Sequence, residues 1–552
     1  MPDKKATTTK PSKPVSSKEL LTPRNMLIAG GAIIVIVLLV VFGSGAGDPI
    51  AAHMPADALF YVNINIDELS SAEMQEIVTA FQTASGAPAS EEGLDIIQQA
   101  FGGDTDWDYD IDIKPWLGNQ VGISMQTFSL GPILGGGGVQ PQSIAGIQSK
   151  NAGAADAFIA KVVQDAEADG DTVTTSSVSG TTIYSIDRAF TDDQAIARSG
   201  NIVYIANEAA AIEASINLKP ADSIASSEGY GKAIRALPGG RLLTVYVDMN
   251  AISDMSMTAG VEASPAYSML ENSALALGVA VVPEGLQMDA AFVMDESKMS
   301  PAMLEASRAA AHPAETVDRY PQDTFLFMGS SGTANNDPEA MREMMGEETF
   351  QDYRDSLQSL QALFGIDIEN LIAAIDKEFS FGLFPQSTGV GAFTGGIGIQ
   401  AVILTTKDAE LATFMADLNG LIVEQGGMAT QARSIAGMDS YVVSDPFLGA
   451  DLLALGSGNG MGFLTTNTAL IEAGASPSLA DSQQYEDTWK AFSSSAVPVF
   501  YLDMRGLLNA IAAMTGGEMD TAAVAPLTVV AAAIEPYRDG VTHVVMIAFI
   551  ER

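Results

Sequence analysis

The sequence contains no cysteine and only three histidines. Without cysteine the chain has no disulfide, no thiolate metal site and no cysteine nucleophile. His53, His312 and His543 are too far apart along the chain to indicate a metal cluster by their spacing. The usual motifs of serine hydrolases, zinc proteases and phosphate-binding loops do not occur in a suitable context. We therefore predict no catalytic residues and favour a non-enzyme, while an enzymatic role stays open.

Basic residues are also scarce. The chain has 27 Lys and Arg against 68 Asp and Glu, a net charge of −41. Six of the basic residues and two of the acidic ones precede residue 26, so the rest of the chain carries 21 basic and 66 acidic residues. Such a body repels the phosphates of nucleic acids. We expect no nucleic-acid partner and interpret the charge as a solvated surface.

One long apolar run is present near the N-terminus. Residues 26–42 read MLIAGGAIIVIVLLVVF, without a charge or a proline. At 1.5 Å per residue this is close to the shortest helix that spans a hydrocarbon core of about 30 Å. The basic flank precedes the run and the acidic body follows it, which places the N-terminus in the cytoplasm. We predict a disordered tail at 1–25, a transmembrane signal anchor at 26–43 and a linker at 44–54; cleavage of a signal peptide within 43–47 is the alternative.

The exported body repeats its own landmarks. The matched segments are PAD at 55 and PQD at 321, SIASS at 223 and SLADS at 478, and YVDM at 246 and YLDM at 501. The offset between partners falls steadily from 266 to 255. A duplication followed by a few small deletions gives this pattern. We therefore predict exported repeats at 55–298 and 320–552, joined by a connecting helix or linker at 299–319, and each repeat is large enough for its own core.

Strand-like and helical runs alternate within each repeat. Residues 59–66 are rich in β-branched and aromatic residues, and residues 278–295 and 528–550 are typical of hairpins around Pro- and Gly-containing turns. Residues 154–168 and 408–425 are apolar at helical spacing. Because the order is not a strict βαβ series, we predict an α+β fold. It would consist of two tandem copies of an antiparallel sheet with helices on one face, behind one N-terminal transmembrane helix.

Several segments of the body together resemble a known family. They are PADALFYVNIN, DIDIKPWLGNQVGIS, SGTTIYSI, SIASSEGY and YVDM. Their order is similar to that of domain-of-unknown-function family 3352, over nearly the whole exported body. The second repeat departs from it, since ENLIAAIDK replaces KPWLG. The family comprises large exported bacterial proteins that usually have an N-terminal membrane segment. The resemblance implies a place in the bacterial cytoplasmic (inner) membrane with the body periplasmic or extracellular, and it offers no catalytic residues.

An alternating acidic run is the most distinct local motif. It contains Asp104, Asp106, Asp108, Asp110 and Asp112. In an extended strand these carboxylates would share one face, and such hard oxygen ligands suit Ca²⁺. Tyr109 and Pro115 stand where an EF-hand requires Gly and Glu, so the motif is not an EF-hand. We interpret the run as a solvated acidic loop, with a weak Ca²⁺ site as the alternative, and we expect no other cofactor.

Apolar residues in three predicted loops are candidates for contact with a partner. Ile133 and Leu134 lie in the glycine-rich run GPILGGGG, and Phe393 lies in the corresponding run of the second repeat. Phe447 and Leu448 belong to PFLGADLLAL, whose counterpart in the first repeat is polar. Exposed apolar loop residues often mark contact surfaces. A lid over the protein's own core is the alternative for the last pair.

These features favour a membrane-anchored extracytoplasmic binding or scaffolding protein of the bacterial cell envelope. Its contacts would be the membrane, through residues 26–43, and an envelope protein partner. The alternatives are an exported carboxylate-based hydrolase and a carrier of an apolar ligand or lipid. A deep pocket with several carboxyl groups of raised pKa would favour the hydrolase. A cavity enclosed by the two repeats would favour the carrier.

Overall fold

The computed structural model describes most of the body of the protein. The described residues are 48–85, 107–126, 142–188, 193–251, 272–308, 312–331, 342, 347–364, 371–372, 374–386, 396–424, 426–445, 449–515 and 524–552. No helix within these ranges is both long and apolar enough to cross a membrane. The predicted tail at 1–25 and the predicted anchor at 26–43 lie outside the described residues.

The described residues form twenty strands. Those of the first half of the molecule are Phe60–Asn65 (β1), Leu117–Met125 (β2), Ser143–Ser149 (β3), Thr172–Val178 (β4), Thr181–Asp187 (β5), Gln194–Ser199 (β6), Ile202–Ala206 (β7), Arg241–Asp248 (β8), Ala274–Val282 (β9) and Gly285–Val293 (β10). Those of the second half are Leu326–Ser331 (β11), Glu378–Pro385 (β12), Ile397–Leu404 (β13), Thr430–Ile435 (β14), Met438–Ser444 (β15), Asp451–Gly458 (β16), Met461–Thr465 (β17), Val497–Asp503 (β18), Leu527–Arg538 (β19) and Val541–Ile550 (β20).

Helices connect many of these strands. The α-helices are Ile66–Leu69 (α1), Ala72–Ser85 (α2), Ala152–Asp169 (α3), Ala209–Ile216 (α4), Glu228–Ala236 (α5), Pro301–Arg308 (α6), Glu347–Phe364 (α7), Asp408–Glu424 (α8), Thr468–Ala473 (α9), Gln483–Trp489 (α10) and Met504–Thr515 (α11). Single 3₁₀ turns lie at Ala51–His53, Pro220–Asp222, Ile224–Ser226, Glu296–Lys298, Glu315–Arg319 and Leu479–Asp481, and a π-helical turn at Tyr109–Ile113.

The two halves have the same strand order. Across the first half the order is β4-β5-β6-β7-β3-β2-β1-β8-β9-β10, and across the second it is β14-β15-β16-β17-β13-β12-β11-β18-β19-β20. Each strand is thus replaced by the strand ten places later in the chain. All of these pairs are antiparallel, which confirms the predicted α+β class with an antiparallel sheet.

One strand pair joins the halves into a continuous sheet. β10 and β20 are the last strands of their series, and they pair antiparallel from Gly285 opposite Phe549 to Val293 opposite Val541. Four hydrophobic clusters of the described residues stay largely within one half each: two contain buried residues of the first half, and two contain buried residues of the second. The halves therefore share a sheet edge while burying mostly separate apolar side chains.

Helices cover both faces of the sheet. On β7, Val203 and Tyr204 are both buried but belong to different clusters, because successive side chains point to opposite faces. Helix α3 packs Phe158 into one cluster, while α4 and α5 pack Ile212 and Tyr230 into the other. The prediction of helices on one face is therefore wrong. Strands that are buried on both faces appear in the sequence as continuous apolar runs. Such a run does not indicate whether helices pack on one face of the sheet or on both.

Two hairpins confirm the predicted turn chemistry. β9 and β10 are joined by Pro283 and Glu284, since Val282 is opposite Gly285. β19 and β20 are joined by Asp539 and Gly540, whose φ angles of 53° and 81° are those that short hairpin turns require. The second hairpin thus turns at the last two residues of its predicted five-residue loop. Both hairpins lie at the junction between the halves.

The segment before β1 belongs to the folded body. Ile50, Ala51 and Met54 are completely buried, and the Asp48 carboxylate accepts hydrogen bonds from the backbone N–H groups of Ile50 and Ala51 at 3.1 and 3.0 Å. The prediction of a linker at 44–54 is therefore wrong from residue 48 onward. The apolar side chains of this Gly- and Ala-rich segment are buried in the core, which the composition of the segment alone did not indicate.

The segment before β11 is built in the same way. Thr316 is buried, and Val317 packs against the core of the second half. The predicted connecting segment 299–319 does contain a helix, α6, but its last residues are part of the second half. Here the buried carboxylate comes from β12: Glu378 accepts hydrogen bonds from the N–H groups of Glu315 and Thr316 at 2.7 and 3.0 Å and from the Thr316 hydroxyl.

Candidate binding site at the sheet junction

Few of the residues singled out from the sequence lie within the described structure. Asp108, Asp110 and Asp112 are described, whereas the remaining candidates lie outside the described residues. Those outside are Asp104, Asp106, Ile133, Leu134, Phe393, Phe447 and Leu448. The partner-contact prediction therefore stays a prediction.

The three described aspartates have separate structural roles. The segment from Tyr109 to Ile113 is a helical turn rather than an extended strand, and Asp108 caps it by accepting a hydrogen bond from the Ile111 N–H at 3.0 Å. Asp110 pairs with Lys114 and Asp112 pairs with Lys161, both at 2.6 Å. The hydrogen bond from Lys161 holds the pKa of Asp112 below its usual value. Among the described residues no three His, Asp or Glu side chains are arranged to hold a metal ion.

A cavity of about 580 Å³ lies at the junction between the halves. Its walls come from α5 of the first half, from the β19–β20 hairpin and from the turn that follows α10. The residues that line it are Lys232, Arg235, Ala236, Ser493, Ser495, Glu535, Pro536, Arg538, Asp539, Val541 and His543. Three permanently charged basic residues and one imidazole thus meet in one cavity of a strongly acidic protein.

Local structure places the basic side chains. Ser227 caps helix α5: its hydroxyl accepts a hydrogen bond from the Tyr230 N–H at 3.4 Å, and Tyr230 anchors the helix in the core. Lys232 and Arg235 are three residues apart and therefore lie on the same face of the helix. Arg538 is the last residue of β19, directly before the turn of the hairpin.

His543 forms the inner wall of the cavity. Its Nε2 atom lies 2.9 Å from the Asp289 carboxylate of β10, and its Nδ1 atom lies 3.2 Å from the Glu535 carboxylate of β19. The Asp289 side chain is fully buried and also accepts hydrogen bonds from the Gln287 amide at 3.1 and 2.9 Å. Burial lowers the pKa of His543, but the hydrogen bonds to the two carboxylates raise it by more, so the net pKa is raised.

This arrangement suits binding better than catalysis. Both ring nitrogens of His543 contact carboxylates, so the imidazole has no free nitrogen with which to activate a nucleophile or a water molecule. Burial raises the pKa of the Asp48 carboxyl, but its oxygens already accept hydrogen bonds from Tyr61, Asn63, Tyr230 and two backbone N–H groups. The geometry therefore favours a recognition surface that presents Arg235 and Arg538 over a pair of catalytic carboxyl groups.

Sequence reasoning missed this cavity. Lys232 and Arg235 lie about 300 positions before Arg538 and His543 in the chain, and β10–β20 pairing brings the two groups together. The available signal was the rarity of basic residues in the body, which makes KAIR at 232–235 and YRDG at 537–540 unusual. His543 was considered only as a possible metal ligand.

Comparisons with known proteins give a family and little more. A family model described as "Protein of unknown function (DUF3352)" matches residues 25–532, which confirms the resemblance found in the sequence. No curated protein matches the chain. A solved structure, crystal form III of TP0453, is 11% identical to the chain, covers 48% of it with 89% of its own length and has a TM-score of 0.23. A similarity this low supports no conclusion about fold or function.

Proposed function

The chain belongs to the DUF3352 family of proteins of unknown function, and we propose that it is a membrane-anchored binding or scaffolding protein of the bacterial cell envelope. In this proposal residues 26–43 cross the cytoplasmic membrane, the N-terminus stays inside, and the acidic body lies on the periplasmic or extracellular side. An envelope protein or an envelope component is its partner.

The fixed position of Asp48 is the observation that carries the proposal. Only four residues, 44–47, lie between it and the end of the proposed anchor at residue 43, a span of at most about 18 Å even when fully extended. The Asp48 carboxylate accepts five hydrogen bonds, including those from the Tyr61 and Tyr230 hydroxyls at 2.8 Å. In the proposal, the length of this connection limits how far Asp48 can lie from the bilayer, as a scaffold at the membrane surface requires.

We further propose that the two halves are tandem copies of one domain. The identical strand order supports this, as do the equivalent 3₁₀ turns that begin each half and the serine-capped helices α5 and α10. Two linked copies offer a junction surface that one copy lacks, and the basic cavity lies there. Duplication therefore supplies a binding surface without a new fold.

Single cysteines test the topology cleanly, because the chain has none of its own. We expect Ser177→Cys, at an exposed position of β4, to react with a membrane-impermeant maleimide added on the exported side. Ser12→Cys is the matched control and should react only after the cells are lysed. The opposite preference, or a mature soluble form without residues 1–46, would overturn the anchored topology.

Crosslinking tests the binding role. Full-length tagged protein, crosslinked in native membranes and then solubilised, should bring down an envelope component in a fixed ratio. A preparation that yields only the protein itself under several growth conditions would count against a scaffold.

A further inference from the structure

We propose that the junction cavity is a binding site for a phosphate-type anion, held by Arg235 and Arg538 with Lys232 at the rim. This inference rests on the proposed binding function and names the chemistry of the ligand. The phosphate could belong to a lipid headgroup or to a soluble phosphorylated molecule, and the experiment below separates these sources.

The charge distribution supports an anion site. The body has 21 basic and 66 acidic residues, yet three of the basic ones line this cavity together with His543. Glu535 and Asp289 are both engaged with His543, at 3.2 and 2.9 Å, and Glu228 is engaged with Lys232 at 2.8 Å. Asp539 at the turn is the other acidic residue of the lining, so the anion site depends on Arg235 and Arg538. At physiological ionic strength charges are screened over about 8 Å, so the groups that line the cavity outweigh the distant acidic surface.

The two arginines are available to a ligand. Lys232 pairs with Glu228 at 2.8 Å, whereas neither Arg235 nor Arg538 forms an ion pair with any other described residue. Both arginines are exposed and line the cavity. A guanidinium group offers parallel N–H donors that match two phosphate oxygens. Two arginines from different halves could therefore hold one phosphate from opposite sides.

Hydroxyl groups complete the donor set. Ser493 and Ser495 lie on the cavity wall, and their hydroxyls are 2.8 Å apart. A hydroxyl hydrogen can rotate toward a bound anion, so these residues add neutral donors beside the cations. The cavity volume of about 580 Å³ lies within the range of about 300–1,000 Å³ that is usual for small-molecule sites.

The second half provides an internal comparison. Position 490 follows position 235 at the offset of 255 that relates Tyr230 to Tyr485. Lys490, at that position, pairs with Glu486 at 3.0 Å and with Asp487 at 2.8 Å, so its charge is already compensated. Lys490 is thus a basic residue in an equivalent place that the proposal does not use.

Binding can be measured on the full-length protein in phosphatidylcholine nanodiscs. We expect titration with inorganic phosphate to saturate, and with sodium chloride of equal ionic strength to give no saturable signal. The double variant Arg235→Gln and Arg538→Gln should weaken phosphate binding at least tenfold. Lys490→Gln, the matched control, should change it less than twofold. Since all three side chains are exposed, circular dichroism should confirm that each variant is folded.

The lipid arm identifies the source of the phosphate. With phosphatidylglycerol in the nanodisc, a headgroup ligand would compete and lower the apparent affinity for free phosphate in the wild type only. Equal affinity in both bilayers would exclude an anionic lipid headgroup, since phosphatidylcholine carries its phosphate without net charge, and would favour a soluble phosphorylated molecule. Absence of saturable phosphate binding, or equal loss in the double variant and in Lys490→Gln, would overturn the anion site. Neither result would alter the topology or the crosslinking outcome that test the proposed function.

Discussion

The two halves of the molecule share a strand order but place their carboxylates differently. In the first half, Asp48 accepts hydrogen bonds from the 3₁₀ turn before β1; in the second, Glu378 of β12 does so for the turn before β11. Gln120 occupies the register position of Glu378 in the first half, since it is opposite Asn65 as Glu378 is opposite Ser331. The N–H groups at the start of a helical turn need a hydrogen-bond acceptor. In the first half the acceptor comes from the residues just before the turn, and in the second half it comes from strand β12.

Basic residues differ between the halves in a similar way. Directly after α10, Lys490 is neutralised by two acidic residues of that helix, whereas Arg235 on α5 lines the junction cavity. The strand order determines where the helix lies. Single substitutions determine whether the basic residues at its surface form ion pairs with acidic residues of the same helix. The shared architecture therefore does not by itself produce the candidate site.

The largest expected effect comes from breaking the link between the halves. A Cβ atom at Gly285 would lie 2.1 Å from the Ala548 carbonyl oxygen, at a φ of 150° that few other residues adopt. We expect Gly285→Ala to lower the free energy of unfolding by about 3 kcal/mol. Since the cores are mostly separate, calorimetry should resolve two unfolding transitions in place of a cooperative one.

Gly180→Ala is the control for backbone strain alone. Gly180 has a φ of 80°, but a Cβ atom there would meet no atom within 4 Å. Gly180→Ala should lower the free energy of unfolding by about 1 kcal/mol and leave the cooperativity of unfolding unchanged. If Gly285→Ala behaves in the same way, β10–β20 pairing does not couple the halves.

The carboxylate comparison should give an intermediate effect. Glu378→Ala leaves two backbone N–H groups and the Thr316 hydroxyl without their acceptor, whereas the Gln120 side-chain oxygen has no partner among the described residues. Both substitutions remove a similar volume from a buried site. We therefore expect Glu378→Ala to cost about 2 kcal/mol more than Gln120→Ala in urea denaturation. Equal losses in the free energy of unfolding would mean that the Glu378 carboxylate stabilises the fold only by filling space.

The smallest effect concerns pH at the junction. Because the folded pKa of His543 is raised, its contribution to stability is complete below its unfolded pKa of about 6.5 and is lost as the pH rises through the folded value. His543→Gln should therefore cost about 1 kcal/mol near pH 6 and less at higher pH. Urea denaturation of both proteins from pH 5.5 to 9 measures this; a difference that grows with pH would contradict the imidazolium bridge.

Short-range features were predictable from the sequence. The Pro-Glu-Gly and Asp-Gly turns fixed two hairpins, and the helical spacing of apolar residues indicated α3 and α8. These predictions succeeded because turn geometry and helical periodicity depend on neighbouring residues. The segment from Asp48 to Met54 was misassigned because its burial depends on side chains far away in the chain, including Tyr61 and Tyr230.

By itself, the sequence determined the acidic surface, the lack of thiol chemistry, the hairpins and helices, and the family. Only the tertiary structure decided that helices cover both faces of the sheet and that β10 meets β20. It also decided that Arg235, Arg538 and His543 share one cavity. The physical reason is that periodicity reports which side chains avoid water, whereas strand pairing between distant segments selects which of them become neighbours.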